Sequence, residues 1–239
     1  MISRSHKTVF VHVPKAAGQS VEQAFLDDLG LAWDERSPLL LRPNNDSAKG
    51  PPRLAHLTAD EYVALGYMTS VEWDEFHRFA VVRNPFPRVV SLYRHLGPNM
   101  VFRDWVTAWL APTLAAAPCT PARWFVRSQV EFLCDLRGKV LVNDVLRFEI
   151  LDTEFARVAK VVGVKCTVLP RRNTTGFKPQ PDIEGKPKRL QRLGRSLRAR
   201  MLPSRFQRLD SWRDYYDAQT AGHVATLYAE DFKAFGYSS

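Results

Sequence analysis

Two short stretches of this 239-residue chain have the residue types of an anion-binding loop. The first covers residues 14–20 and reads PKAAGQS, with small residues, one lysine and a final serine hydroxyl. Unpaired backbone N–H groups at the start of a helix hold phosphate, and a nearby cation strengthens the binding. In a Walker A loop the lysine follows the last glycine, whereas Lys15 here precedes Gly18. Taken alone, the stretch fits a phosphate loop and an ordinary strand–helix turn equally well.

The second stretch pairs an arginine with a serine. Arg83 directly follows the apolar run RFAVV, and Ser91 comes about two turns into the segment that begins at Pro85. Each residue alone is also compatible with a solvent-exposed surface position. Together with the first loop, they indicate a second anion site and therefore a ligand with two separated phosphates.

The elements that must position these residues follow from the apolar patterns. Residues 8–13 and 78–82 predict buried strands, and each is followed by a helix with one apolar face. Further strands are predicted at 54–57 and 139–150. Further helices are predicted at 59–66, 101–136 with breaks at the prolines, 152–162, and, as one or two helices, 212–235.

Recurring strand–helix units predict an α/β fold with a central parallel sheet flanked by helices. The carboxyl ends of parallel strands meet at one edge of the sheet, where ligands of such folds bind. We therefore expect both candidate anion loops to lie at the same edge. The length fits a single domain over residues 1–239.

The net charge of +9 belongs to one segment. Residues 185–209 contain nine of the 34 lysines and arginines and no acidic residue, and the remaining 25 cations equal the acidic count. Leucines and a methionine at spacings of three and four make this segment a candidate amphipathic helix, or a mobile basic stretch. It could be a solvated surface, contact an anionic membrane, or guide an anionic glycan.

Taken together, the two loops resemble the signatures of one family. HVPKAAGQS resembles the H-[IV]-P-K-[TS]-[GA]-G-T-[ST] loop of sulfotransferases that use 3′-phosphoadenosine-5′-phosphosulfate (PAPS). The stretch RFAVVRNPFPRVVSLYRH resembles their second signature, a strand followed by R-[DN]-P-x-x-R-x-x-S-x-[YF]. The chain is most similar to carbohydrate O-sulfotransferases of the heparan and chondroitin type and their bacterial relatives, and the likeness extends over nearly the whole chain.

The resemblance implies a P-loop-like nucleotide-binding sulfotransferase fold, an O-sulfotransferase activity, and PAPS as the sulfuryl donor without a metal. It implies that Arg83 and Ser91 hold the 3′-phosphate. A late basic loop with Arg172, Asn173 and Thr174 would close over the nucleotide. The 5′-phosphosulfate would lie on Lys15, Ala16, Ala17, Gly18, Gln19 and Ser20, with Lys15 also catalytic. Ala16 and Gln19 replace family threonines, so backbone N–H groups and the Gln19 amide would serve in place of two hydroxyls.

An acceptor hydroxyl also requires a proton acceptor within hydrogen-bond reach. His56 is the candidate catalytic base, because it resembles a histidine that uronyl-type members carry upstream of the second signature. A helix-capping or surface role for His56 is equally compatible with the sequence. Glu61 and Glu149 are the alternative carboxylates, although Glu149 is expected to pair with Arg147 or another cation.

The predicted reaction is sulfuryl transfer from PAPS to a hydroxyl of a saccharide or glycolipid. The alternatives are an ATP-dependent phosphotransferase, which would require Mg²⁺ ligands, and a non-catalytic module that binds anionic polymers through 185–209. No nucleic-acid-binding motif is visible. The sequence shows neither a secretory signal nor an apolar run of membrane-spanning length, so we expect a cytoplasmic protein, with peripheral membrane contact as an option.

Overall fold

A four-stranded sheet forms the centre of the chain in the computed structural model, which describes residues 1–117, 120–170 and 206–239. The strands lie side by side in chain order: β1 (Ile2–Ser3), β2 (Thr8–Val11), β3 (His77–Val82) and β4 (Asp144–Arg147). Strands β2, β3 and β4 are parallel, and β1 adds an antiparallel edge. The predicted α/β fold is confirmed, with β1 as an addition too short to leave a sequence pattern.

Helices cover the sheet and form a second layer beside it. In chain order they are α1 (Gly18–Asp28), α2 (Glu61–Ala64), α3 (Ser70–Glu75), α4 (Pro85–Leu96), α5 (Phe102–Asp104), α6 (Ala111–Ala115), α7 (Pro121–Val126), α8 (Val130–Leu133), α9 (Leu151–Val162), α10 (Ala218–Leu227) and α11 (Ala229–Phe235).

The central strands are apolar because both faces of the sheet are covered. All four residues of β2 and the last four of β3 are buried, as expected for parallel strands between helices. Phe10 pairs in register with Phe79, and Phe25 from α1 packs against Phe79 at 6.2 Å between ring centroids. These three rings anchor α1 on the sheet, and α1 carries the first candidate loop at its N-terminus.

Helix α4 begins immediately after β3 because its first residues are suited to a helix start. The side chain of Asn84 accepts a hydrogen bond from the N–H of Phe86 at 2.9 Å, and Pro85 occupies the first turn. Gly97 ends the helix in a left-handed conformation with φ of 56°. Arg83 is therefore held between the end of a strand and a capped helix.

Two predicted strands differ from the structure. Residues 54–57 form a 3₁₀ turn, Leu54–His56, preceded by a single bridge between Pro43 and Arg53. Pro51 and Pro52 have no N–H to donate, so a longer ladder does not form there. Of the strand predicted at 139–150, only β4 pairs with β3, because the chain from 139 to 141 folds back onto residues 133–135.

The predicted break at Pro112 is also wrong. A π-helical stretch, Trp105–Leu110, connects α5 to α6 without interruption. Pro112 comes just after this π-helical stretch, and the wider turn accommodates the proline ring and its missing N–H without ending the helix. Pro118 lies outside the described residues.

Several predictions fall on residues that the structure does not describe. Arg172, Asn173 and Thr174 lie outside the described residues, as does the basic segment up to residue 205. Over the three described ranges, no helix is long and apolar enough to cross a membrane.

The packing of Phe79 generates a prediction for stability. Phe79 is fully buried between Phe10 and Phe25, so Phe79→Ala should lower the free energy of unfolding by about 3–5 kcal/mol. Urea denaturation followed by circular dichroism measures this change. Val71→Ala is the control, since Val71 is exposed, and it should change the same quantity by less than about 0.5 kcal/mol. Equal effects of the two variants would contradict the packing.

Candidate active site

The first candidate loop follows β2 and has a strained backbone. Lys15 and Ala17 both adopt left-handed conformations, with φ of 69° and 62°. Such conformations cost a non-glycine residue of order 1–3 kcal/mol and cluster at ligand sites. The N–H groups of Ala17 and Gly18 donate to no described residue and lie at the start of α1. The loop therefore presents unpaired donors and a helix N-terminus, as phosphate binding requires.

Gly18 is required at its position by a close approach. A Cβ atom on Gly18 would lie 2.0 Å from the His12 ring. His12 is buried, and its Nδ1 lies 2.6 Å from Oε1 of Glu22. The His12–Glu22 pair thus supports the loop from beneath.

Lys15 is the cation of this loop. It is half-buried, and over the described ranges no carboxylate lies within 4 Å of its Nζ. Burial, with a contribution from the neighbouring Arg83, lowers the pKa of Lys15 to about 8. Lys15 is therefore a charged donor at neutral pH whose charge has no protein counterion nearby in the part of the chain described.

Arg83 reaches toward the first loop from the end of β3. Its Nη1 lies 3.4 Å from the carbonyl oxygen of Lys15, and its guanidinium covers the Phe148 ring at 4.2 Å. The buried Nε has no hydrogen-bond partner. Burial lowers the pKa of Arg83 to about 10, so the side chain stays charged at neutral pH. Its unused donors fit an anionic group that approaches this edge.

Arg88 joins the two loops. This fully buried residue donates from Nε to the carbonyl of Pro14 at 3.1 Å and from Nη2 to the carbonyl of Arg127 at 2.9 Å. Its Nη1 lies 4.0 Å from the buried carboxylate of Asp231. The second arginine of the R-N-P-F-P-R stretch therefore holds the first loop in place. Sequence reasoning quoted this arginine without giving it a role.

His56 lies beside the first loop, in the 3₁₀ turn Leu54–His56. Its Nδ1 is 3.0 Å from the carbonyl oxygen of His12. Because a carbonyl only accepts, Nδ1 carries the proton and Nε2 carries the lone pair. Burial, together with the nearby His12, lowers the pKa of His56 well below its usual value. The ring is therefore neutral at physiological pH, and its unprotonated Nε2 has no described hydrogen-bond partner.

Aromatic rings surround His56. Trp124 and Phe125, at the end of α7, lie 5.5 Å and 6.2 Å from it between ring centroids. His95, which stacks on Phe125, was not singled out from the sequence. Burial, Lys15 and Arg53 lower the pKa of His95 to about 4. Nothing in the sequence around His95 distinguishes it from an ordinary histidine on a helix surface, so its position near the site could not be predicted.

The remaining predicted site residues lie in the first loop and on α4. Ala16 is buried, while Gln19 and Ser20 are half-buried in the first turn of α1. Ser91 is half-buried on α4, and its hydroxyl bonds to no described residue. The structure thus brings Lys15, Arg83 and His56 to one edge of the sheet, with Ser91 two turns along the helix that starts there.

The alternative carboxylates have other partners. Glu149 accepts hydrogen bonds from the N–H of Asn84 and the hydroxyl of Tyr237, each at 2.9 Å. Among the described residues it forms no ion pair within 4 Å, and Arg147 donates instead to the carbonyls of Phe235 and Gly236. The other cation that the sequence left open is Arg83, whose pKa the charge of Glu149 raises, against the larger effect of burial. Glu61 accepts from the N–H of Thr58 at 2.9 Å. Both carboxylates stabilise local backbone.

This arrangement can bind an anion and accept a proton. Two cations that form no ion pair with a described residue, Lys15 and Arg83, lie beside unpaired N–H groups, and a neutral imidazole lies next to the loop. A sequence profile described as the sulfotransferase family matches residues 1–238. The chain belongs to the sulfotransferase family. No curated protein and no solved structure matches it.

Membership of the family makes this chain a transferase of sulfuryl groups and accounts for the cationic edge. Developing negative charge on a leaving oxygen is stabilised by preorganised donors and cations. Within the described ranges of this sulfotransferase, no cluster of three or more His, Cys, Asp or Glu residues could hold a metal ion.

The environment of Lys15 in this sulfotransferase generates a prediction for pH dependence. Its pKa of about 8 leaves roughly 90% of the side chains charged at pH 7. Removing the positive charge of Arg83 with Arg83→Met should raise this pKa, because like charges disfavour protonation. The titration can be followed by NMR of labelled lysine side chains, assigned with Lys15→Arg.

Arg213→Met is the matched control, since Arg213 is exposed and stacks on Trp212. It should leave the Lys15 midpoint unchanged. A wild-type midpoint at 10.5 or above would show that the side chain is not desolvated as described.

Proposed function

We propose that this sulfotransferase moves a sulfuryl group from PAPS to a hydroxyl of a saccharide or glycolipid. The observation that carries the proposal is the pairing of Lys15 and Arg83 at one sheet edge, with unused donors and no ion pair to a described carboxylate. PAPS has two phosphate-bearing ends, and two separate cationic positions match that charge distribution.

The donor would bind across both loops. The N–H groups of Ala17 and Gly18, with Ala16, Gln19 and Ser20 around them, would hold the 5′-phosphosulfate. The guanidinium of Arg83 and the Ser91 hydroxyl would hold the 3′-phosphate. Arg172, Asn173 and Thr174 are proposed to complete the nucleotide site on the strength of the family resemblance.

Lys15 would stabilise the departing group. Transfer forms a bond between the acceptor oxygen and sulfur, and it breaks the bond between sulfur and the oxygen that bridges to the 5′-phosphate. Negative charge grows on that bridging oxygen, as it does in phosphoryl transfer. The Lys15 ammonium, charged below its pKa of about 8, neutralises it. Fixed donors and a cation thus supply the stabilisation, and the scheme requires no metal.

His56 would receive the proton of the acceptor hydroxyl. Nε2 carries the lone pair because Nδ1 donates to the His12 carbonyl. The lowered pKa leaves His56 unprotonated at neutral pH, so Nε2 is available as the proton acceptor. Its backbone hydrogen bond also fixes the direction of the ring relative to the first loop.

The surroundings of His56 support a sugar acceptor. Phe125, which is half-buried, lies next to the proposed base, and aromatic side chains pack against the apolar faces of ligands. We further propose that residues 185–209 assist the approach of an anionic glycan or membrane. Nucleic acid is not part of the proposal. A cytoplasmic location stays a prediction.

Nucleotide binding tests the donor assignment. We expect calorimetry to show that adenosine 3′,5′-bisphosphate binds more tightly than AMP, and that ATP does not bind. Arg83→Ala should weaken the bisphosphate about 100-fold, because it removes charge-assisted hydrogen bonds to the 3′-phosphate, and AMP less than about threefold. Arg213→Ala serves as the exposed-arginine control. Tight ATP binding would favour the phosphotransferase instead. A chain that binds neither adenosine 3′,5′-bisphosphate nor ATP would favour the non-catalytic module.

Turnover tests His56. A screen of glycans, glycolipids and small phenols with labelled PAPS first identifies an acceptor, and transfer to phenols alone would contradict the saccharide assignment.

His56→Ala should then lower kcat about 10²- to 10⁴-fold, the usual contribution of a general base. In wild type, kcat/KM should fall below the His56 pKa and again above pH 8, where Lys15 loses its charge. An acidic limb that survives in His56→Ala would exclude His56 as the base.

A further inference from the structure

The backbone of Arg83 is held by a side chain from a distant part of the chain. Gln129 is fully buried. Its Oε1 accepts from the N–H of Arg83 at 2.9 Å, and its Nε2 donates to the carbonyl of Arg83 at 2.8 Å. The pairing of β3 with β4 ends one residue earlier, at Val82. The carboxamide of Gln129 therefore takes the place of a neighbouring strand at the residue where the chain leaves the sheet.

Gln129 is itself fixed in place. The buried carboxylate of Asp231, on α11, accepts from the N–H of Gln129 and from the N–H of Val130, both at 3.0 Å. Arg88 lies 4.0 Å from the same carboxylate and bonds to the Pro14 carbonyl. The carboxamide thus has a defined position relative to the first loop as well as to Arg83.

The Arg83 side chain has few constraints of its own. No carboxylate of the described ranges lies within salt-bridge distance of its guanidinium, and Glu149 acts on it only from farther away. Its hydrogen bond to the Lys15 carbonyl is long, at 3.4 Å. Contact with Phe148 limits its rotation without supplying a polar partner. The direction in which the guanidinium extends is therefore determined largely by the backbone at Arg83, and Gln129 holds both polar groups of that backbone.

We propose that Gln129 is a positioning residue that orients Arg83 toward the 3′-phosphate of the donor. This inference rests on the proposed function, because it takes Arg83 as the ligand of that phosphate. A carboxamide suits the task since it both donates and accepts, and the backbone of Arg83 offers one group of each kind.

The test measures preference for the 3′-phosphate, defined as the ratio of the dissociation constants of AMP and adenosine 3′,5′-bisphosphate. Gln129→Met keeps the length of the side chain and removes both hydrogen bonds, so this ratio should fall about tenfold. Gln219→Met is the matched control, because Gln219 is exposed on α10, and it should leave the ratio unchanged.

A double variant separates positioning from general destabilisation. Because Gln129 would act through Arg83, adding Gln129→Met to Arg83→Ala should cause no further fall in the ratio. Should Gln129→Met fail to fold, Gln129→Glu keeps the acceptor for the Arg83 N–H and removes the donor to its carbonyl, and the ratio should again fall.

The outcomes distinguish the two proposals. A wild-type chain that binds both nucleotides equally overturns the donor assignment and this inference with it. A wild-type chain that prefers the bisphosphate, with a folded Gln129 variant of unchanged ratio, overturns this inference alone. Equal weakening of both nucleotides, or additive losses in the double variant, also overturns it, because either result describes a purely structural residue.

Discussion

The buried guanidinium of Arg88 is the interaction on which the rest of the site depends. It contacts the carbonyl of Pro14 at the start of the first loop, the carbonyl of Arg127 after α7, and the carboxylate of Asp231 on α11. A buried charge is tolerated only when it is paired and hydrogen-bonded. Displacing any of these elements would leave a charge or a carbonyl without a partner, so they are held together as one unit.

The same requirement extends to Asp231. Burial raises the pKa of Asp231, while Arg88 and the N–H groups of Gln129 and Val130 act in the opposite direction. The carboxylate therefore depends on the groups around it for its charge, and they depend on it for their positions. Through Gln129 this network reaches Arg83, and through Arg88 it reaches Pro14. Both candidate phosphate loops are thus built on one buried polar cluster.

The cationic edge is preorganised at the expense of local stability. Lys15 and Ala17 adopt left-handed backbone conformations, and burial lowers the pKa of Lys15 because a desolvated ammonium is unfavourable. A bound anion would offset the desolvation of the Lys15 ammonium, because it supplies the missing counterion. Proteins commonly store strain of this kind at ligand sites, where the surrounding structure maintains it. The hydrophobic contacts of Phe10, Phe25 and Phe79 supply the rigid sheet that makes such a loop possible.

Local patterns determined much of this protein from the sequence alone. Continuous apolar runs predicted β2 and β3, and the residues that follow them predicted the two anion loops at one edge, because strand ends and helix starts depend on neighbouring residues. The strand predicted at 54–57 and the helix break predicted at Pro112 were wrong, because both depend on backbone hydrogen-bond partners that a local sequence pattern does not reveal. Tertiary structure alone decided that Arg88 and Asp231 meet, that Gln129 pairs with Arg83, and that His56 carries its proton on Nδ1. Those contacts join residues 44 to 143 positions apart, and a hydrogen bond or an ion pair over such a separation exists only once the packed core has brought both partners out of water.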